Sequence, residues 1–178
     1  MSASHTRILV LLAAILAAAA LRLVPHPPNF TPIAAIALFS GAYLGKRALA
    51  FAAPFGALLL SDLVLGFYPE LAFVYLSVAA TVLIGWLLAR RKTALRVGLS
   101  ALAASVLFYL VTNFGVWFLM DYYPPTAAGL LACYVAAIPF FQNSLAGDLF
   151  FTALLFGGFA LLERAVPALR RSGEAQPA

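Results

Sequence analysis

The chain of 178 residues is 65% hydrophobic and only 10% charged, with a formal net charge of +5 and one cysteine. This composition excludes an ordinary soluble domain and indicates a protein whose solvent is the lipid bilayer. The lone Cys133 excludes an internal disulfide and a paired-cysteine metal site, and we interpret it as a small packed apolar residue.

Six apolar stretches follow one another along the chain, and each is interpreted as a membrane-spanning helix. A crossing of roughly 30 Å needs about 20 helical residues. The predicted helices cover residues 7–24, 31–44, 48–66, 71–89, 97–120 and 147–162. The second is short, with Thr31 as its expected cap and Pro32 at its first position. Because Arg7 is the only charge ahead of the first stretch, a retained helix is favoured over a cleaved signal peptide.

Residues 127–141 form a further apolar segment between the fifth and sixth helices. Its length suits an interfacial or re-entrant helix better than a full crossing. A full crossing would also move the basic carboxyl-terminal residues to the outer side, against the preference of basic loops for the cytoplasm.

The basic residues determine the predicted orientation, because cytoplasmic loops are enriched in Lys and Arg. With the amino terminus inside, Arg22 alone lies near the outer side, and ten basic residues lie in the cytoplasm: Arg7, Lys46, Arg47, Arg90, Arg91, Lys92, Arg96, Arg164, Arg170 and Arg171. Since these charges flank apolar spans, they indicate topology and no nucleic-acid partner.

The predicted fold is therefore an all-α integral membrane bundle in the lipid bilayer. It has six transmembrane helices plus a short interfacial or re-entrant helix, and both termini are cytoplasmic. Residues 1–166 form a single transmembrane domain, and residues 167–178 form a disordered cytoplasmic tail.

Polar side chains that lipid should exclude gather at the predicted outer end. The first outer connection, PHPPNFTP, is stiffened by four prolines. Asp62 lies near the outer end of the third helix, and intramembrane carboxylates usually face a cavity and have a partner or a task. An alternative is that the carboxylates only lock the bundle by pairing with Arg22 or His26. The predicted substrate-binding residues are His26, Asn29, Asp62, Asn113, Phe114, Trp117, Asn143 and Asp148.

These residues describe an outward-facing pocket for a small organic molecule. The sequence contains no Gly-rich motif ending in Gly-Lys-Ser/Thr, and no obvious inverted repeat of interrupted helices. We therefore expect a binding subunit that needs a separate motor, or one that works alone, with no cofactor and no metal site.

The segment PHPPNFTPIAAIALFSGAYLG, residues 25–45, resembles the substrate-binding S components of energy-coupling-factor vitamin transporters, in particular a small putative-transport group with this motif. The resemblance spans nearly the whole chain. It implies a six-helix bundle in a bacterial inner membrane, uptake of a vitamin or cofactor precursor, and a coupling transmembrane subunit with ATPases. It also implies that small residues of the first helix contact the coupling subunit, here Ala13 with Ala17 and Ala14 with Ala18.

Within the S components the chain is most similar to the solitary cobalamin-type members, in which His26 and Asp62 have counterparts. The leading ligand that this resemblance implies is a corrinoid. Those members also carry a Cys shortly after the Asp as a cobalt ligand, and this chain has none at that place. Only His26 remains as an expected imidazole ligand.

Two other classes of function remain open. Asp62 and Asp148 on different helices echo the two-aspartate arrangement of intramembrane proteases, in which two carboxylates share a proton and activate water. Both residues lie near the outer boundary, however, and their neighbours lack the fuller protease pattern. The third class is a membrane scaffold or assembly protein whose polar outer face binds another protein.

Overall fold

The computed structural model describes residues 3–45 and 47–170, and these residues form helices joined by short connections. The helices in chain order are α1 (Ala3–Ala20), α2 (Ile33–Tyr43), α3 (Arg47–Leu65), α4 (Leu71–Leu88), α5 (Ala94–Leu119), α6 (Ala127–Thr152) and α7 (Gly158–Ala165). Short 3-10 turns follow α1 and α7, and a π-helical turn, Ala153–Gly157, joins α6 to α7 without a break. The predicted all-α class is confirmed for this part of the chain.

Within the described residues, five helices are long and apolar enough to cross a membrane. They are His5–Leu23, Arg47–Leu65, Leu71–Leu88, Ala94–Leu119 and Ala127–Ala165, with mean hydropathies between 1.9 and 2.2. The sixth apolar helix, α2, has 11 residues and extends only about 16 Å. The architecture is compatible with a multi-pass membrane bundle, and α2 is the exception in length that the sequence also indicated.

Helix α2 forms the centre of the bundle. All of its residues are buried, and α1, α3, α4, α5 and α6 pack around it. An apolar surface on every side is what a fully enclosed helix requires. The helix begins one residue later than predicted, because Pro32 rather than Thr31 occupies the capping position, and no side chain caps it.

Two glycines let α2 and α4 approach each other at backbone distance. A Cβ added to Gly41 would lie 2.2 Å from the carbonyl oxygen of Val82, and one added to Gly85 would lie 2.4 Å from that of Leu38. Both obstacles are backbone atoms, which cannot rotate away. The crossing therefore uses the small-residue packing common between membrane helices.

The sequence-based division of the last third of the chain is wrong. Residues 127–141 do not form a separate interfacial or re-entrant helix, because α6 continues through them and, with the π turn and α7, makes one 39-residue helical stretch. Residues 142–146 contain neither Gly nor Pro, α6 accommodates Pro139 in its interior, and in apolar surroundings a continuous helix satisfies most backbone groups. At about 1.5 Å per residue the stretch is roughly 58 Å long, so it extends beyond a bilayer core.

The opposite end of the bundle from the proline-rich connection is held by basic side chains. Arg7 forms an ion pair with Glu163 at 2.6 Å and lies 5.1 Å from the ring centroid of Phe159. The Lys92 ammonium lies 5.1 Å from the ring of Tyr43. Both termini of the described chain and the α4–α5 connection therefore meet at one end.

The predicted tail begins within this packing. Pro167–Leu169 forms a 3-10 turn against α1, Leu169 is buried, and its carbonyl oxygen accepts a hydrogen bond from Arg7. Residues 167–170 of the predicted tail are thus described as part of the bundle. Residues 171–178, including Arg171, and Lys46 lie outside the described residues.

Adding one methyl group at the α2–α4 crossing should destabilise the bundle. Gly41→Ala forces the two backbones apart, and overpacking of this kind costs about 1–3 kcal/mol. We expect a lower thermal unfolding temperature for the detergent-solubilised variant. The matched control is Gly98→Ala in α5, where an added Cβ meets no atom within 4 Å. Equal unfolding temperatures for the two variants would contradict the close approach.

Candidate functional site

A cavity of about 350 Å³ lies above the amino-terminal end of α2. The α1–α2 and α3–α4 connections and α3 and α4 form one side of it, and the antiparallel α5 and α6 form the other. Its lining residues are Arg22, Asn29, Thr31, Ile33, Ala34, Leu58, Tyr68, Glu70, Val74, Phe108, Tyr109, Thr112, Asn113, Val116, Ala137, Phe140, Phe141, Ser144 and Asp148. Because Ile33 and Ala34 belong to the first turn of α2, the short central helix forms the cavity floor.

The proline-rich α1–α2 connection covers one side of the cavity. Asn29 adopts a left-handed backbone conformation with a φ of 63°, which Asn tolerates better than most residues. The amide of Phe30 donates to the carbonyl oxygen of Pro27 at 3.0 Å. The turn then lies against α6, where a Cβ on Gly147 would come within 3.1 Å of the Cα of Phe30.

Asp62 is fully buried and forms a compact hydrogen-bonded network with α1 and α4. One carboxylate oxygen pairs with the Arg22 guanidinium at 2.9 Å, and the other accepts a hydrogen bond from Tyr75 at 3.3 Å. Arg22 also donates to the hydroxyl of Ser61. Arg22 lines the cavity and Asp62 does not. The pairing with Arg22 is the contact that the alternative prediction named for Asp62, and Arg22 lies between the carboxylate and the cavity.

Tyr68 extends this network into the α3–α4 connection. Burial, reinforced by the negative charge of Asp62, raises the pKa of the Tyr68 hydroxyl above its ordinary value. The hydroxyl therefore stays protonated at neutral pH and remains a hydrogen-bond donor at the cavity wall.

Asp148 is the second buried carboxylate, with 6% of its surface exposed. The hydroxyl of Ser105 on α5 donates to one of its oxygens at 2.6 Å. Asp148 lies within α6 and lines the cavity, so it was correctly placed near the polar cluster although not at the start of a helix.

Glu70 lines the cavity and was missed by the sequence analysis. It caps the amino-terminal end of α4 without a side-chain capping bond. Its Oε2 atom is buried and accepts no hydrogen bond from any described residue. The one sequence signal was an acidic residue in an outer connection, and such a residue ordinarily faces solvent.

Three of the predicted binding residues line the cavity, namely Asn29, Asn113 and Asp148. Asn113 lies in α5, and its side-chain amide donates to the carbonyl oxygen of Tyr109 at 2.8 Å. Asn143 lies in the interior of α6 rather than in a connection, and it does not line the cavity.

The other predicted residues lie outside the cavity lining. His26 is exposed, and its ring nitrogens lie 2.9 Å and 3.2 Å from the carbonyl oxygens of Pro27 and Arg22. Trp117 donates from its indole nitrogen to the carbonyl oxygen of Pro124 at 3.0 Å. Phe114 stacks between Phe73, Trp117 and Phe118. Phe114 and Trp117 therefore lie in the last turns of α5, near the α5–α6 connection.

The alanines of α1 divide into two faces. Ala13 and Ala17 are exposed, whereas Ala18 is buried and Ala14 is partly buried against the core. The bundle therefore uses one of the two predicted pairs for its own packing and leaves the other uncovered. Cys133 is buried, as predicted, and its sulfur lies 3.4 Å from the carbonyl oxygen of Asn113.

Removing the carboxylate of Asp62 should destabilise the protein. In Asp62→Asn the largely buried Arg22 guanidinium loses its counter-charge, and breaking one half of a buried ion pair costs about 3–5 kcal/mol. We expect a marked fall in thermal unfolding temperature. The double variant Asp62→Asn, Arg22→Gln leaves no unpaired charge and should unfold at a higher temperature than Asp62→Asn. If the double variant is no more stable than the single one, the pairing is not the cause.

Comparison with known proteins identifies a family for this chain. The model of a family of unknown function, DUF6580, matches residues 2–169, which is most of the chain. No curated protein and no solved structure matches it. Because this match covers most of the chain, the chain belongs to the family DUF6580.

Proposed function

We propose that the chain is the substrate-binding subunit of a bacterial uptake system for a small organic molecule, similar to the S components of energy-coupling-factor transporters. The observation that carries the proposal is the cavity of about 350 Å³, which combines apolar walls with inward polar groups from several helices. Ligand pockets of proteins are commonly about 300–1,000 Å³ and have this mixture of walls.

The proposed orientation opens the cavity to the outside of the inner membrane. The cavity is bounded by the α1–α2 and α3–α4 connections, whereas Arg7, Arg47 and Lys92 lie at the other end of the helices. Because basic residues are retained in the cytoplasm, the second end is proposed to be cytoplasmic, with both termini inside.

The dimensions of the cavity favour a ligand smaller than a corrinoid. A corrin macrocycle with its appended side chains needs more room than about 350 Å³. In addition, His26 lies outside the cavity, and both of its ring nitrogens lie near backbone carbonyl oxygens. We therefore propose a compact vitamin or cofactor precursor in place of a corrinoid.

A separate coupling subunit with ATPases is the proposed energy source. The exposed Ala13 and Ala17 on α1 offer the small-residue surface that would allow close helix approach by such a partner. Ala14 and Ala18 contribute instead to the packing of this chain.

The arrangement of the two aspartates weighs against an intramembrane hydrolase. A dyad that activates water needs two carboxylates sharing a proton. Here Asp62 binds Arg22 and Tyr75, whereas Asp148 accepts a hydrogen bond from Ser105 on another helix. The different partners favour structural and ligand-binding roles for these residues over shared acid–base chemistry.

Filling the cavity should abolish ligand retention. Ser144 lines the cavity, whereas the neighbouring Asn143 does not, and both are half-buried on α6. We expect mass spectrometry of gently purified wild-type protein to detect a co-purifying small molecule, and Ser144→Trp to lose it because the indole occupies the cavity.

Asn143→Trp is the matched control and should retain the molecule. Loss in Asn143→Trp with retention in Ser144→Trp would move the site away from this cavity. A folded wild-type protein that retains no molecule, even from a host metabolite extract, would overturn the proposed function.

Cysteine labelling tests the proposed orientation. In a Cys133→Ala background, Asp121→Cys marks the α5–α6 connection and Arg91→Cys marks the α4–α5 connection, and both native residues are exposed. A membrane-impermeant maleimide applied to intact spheroplasts should label the first variant, and the second only after permeabilisation. The reverse pattern would show that the cavity opens to the cytoplasm.

A further inference from the structure

The charges around the cavity do not balance. Among the described residues that line it, Arg22 is the one cationic side chain, and Glu70 and Asp148 are the two carboxylates. Asp62 lies directly behind Arg22 and contributes a third carboxylate. The four groups together carry more negative than positive charge when ionised.

Arg22 is already bound to other side chains of the protein. Its guanidinium pairs with Asp62 at 2.9 Å and also donates to Ser61, and only 13% of its side chain is exposed. Both bonds come from Nη1, and the Asp62 carboxylate compensates the positive charge of the guanidinium. The apparent anion-binding residue is therefore neutralised before any ligand arrives.

The two carboxylates of the lining have no comparable cation. Glu70 has a buried Oε2 atom that no described residue satisfies, and the one hydrogen bond to the Asp148 side chain comes from the neutral hydroxyl of Ser105. Leaving a buried carboxylate oxygen without a donor costs free energy, and a positively charged donor in the cavity would recover it.

The remaining walls favour an organic cation over a metal ion. Phe108, Phe140, Phe141 and Tyr109 place aromatic side chains around the same space, and aromatic faces attract organic cations. Among the described residues, no group of three His, Cys, Asp or Glu side chains is close enough together to hold a metal ion.

We infer that the cavity binds a small organic cation, an amine or an N-alkylated heterocycle, with Glu70 and Asp148 facing its positive charge and the aromatic side chains packing on its body. This inference rests on the proposed function and adds the chemical class of the substrate.

The test uses the full-length protein in nanodiscs of neutral lipid. It is equilibrated with two sets of matched molecules, each containing a cation, a neutral molecule and an anion. The first set is benzyltrimethylammonium, benzyl alcohol and benzoate, and the second is 1-methylnicotinamide, nicotinamide and nicotinate. A metabolite extract of the host supplies a third pool. Retained molecules are identified and quantified by mass spectrometry, and we expect the cations to be enriched about tenfold over their partners.

Two variants examine the carboxylates separately. Glu70→Gln and Asp148→Asn should each lower the affinity for the retained cation by about tenfold, because each removes a carboxylate that can accept a hydrogen bond from the cation. The matched control, Asp121→Asn, removes one charge from an exposed position outside the lining and should bind like wild type. Thermal unfolding of each variant identifies any that is misfolded, and the other carboxylate variant then serves as the test.

The outcomes separate this inference from the function on which it rests. Preferential retention of anions or neutral molecules would overturn the cation inference, but it would still support a substrate-binding subunit. An equal loss in Asp121→Asn and Glu70→Gln would also overturn it, since the effect would then come from the general field. Retention of nothing from any pool by folded protein would overturn both.

Discussion

The complete burial of α2 is the constraint on which the rest of the bundle depends. A helix of 11 residues cannot reach from one side of a bilayer core to the other, so longer helices must enclose it. The close backbone approach at Gly41 and Gly85 fixes it against α4, and α1, α3, α5 and α6 cover its other sides. The same shortness leaves an empty volume above its first turn. The cavity is thus a direct consequence of one short helix among long ones.

The polar groups around that volume fall into two sets with different energetics. Arg22 and Asp62 compensate each other's charge at the junction of α1 with α3, so they carry little net charge into the cavity. Glu70 and Asp148 lack such a cation and retain acceptor capacity. A buried charge in this environment is costly unless paired, and this difference is the reason why Glu70 and Asp148, rather than Asp62, are proposed to face a ligand.

The sequence was informative about some site residues for a physical reason that applies to all membrane helices. Asn113 and Asp148 are conspicuous because lipid excludes amides and carboxylates. Asn29 lies in a connection whose backbone is restricted by its prolines. Glu70 gave no such signal, because a carboxylate in a connection stays in water, and its burial costs free energy only when the fold places it against the bundle. Phe114 and Trp117 lie outside the cavity lining, and aromatic residues near a membrane boundary occur there whether or not a ligand is present.

The sequence by itself determined an all-helical chain compatible with a multi-pass membrane bundle, the approximate limits of the first five helices and the basic end of the bundle, because hydropathy and charge act locally along the chain. Only the tertiary structure decided that residues 127–165 form one helical stretch, that α2 lies at the centre, and that Arg22 neutralises Asp62 while Glu70 faces the cavity. These features depend on which helices become neighbours. Neighbour relations join residues far apart in the chain, and no local pattern encodes them.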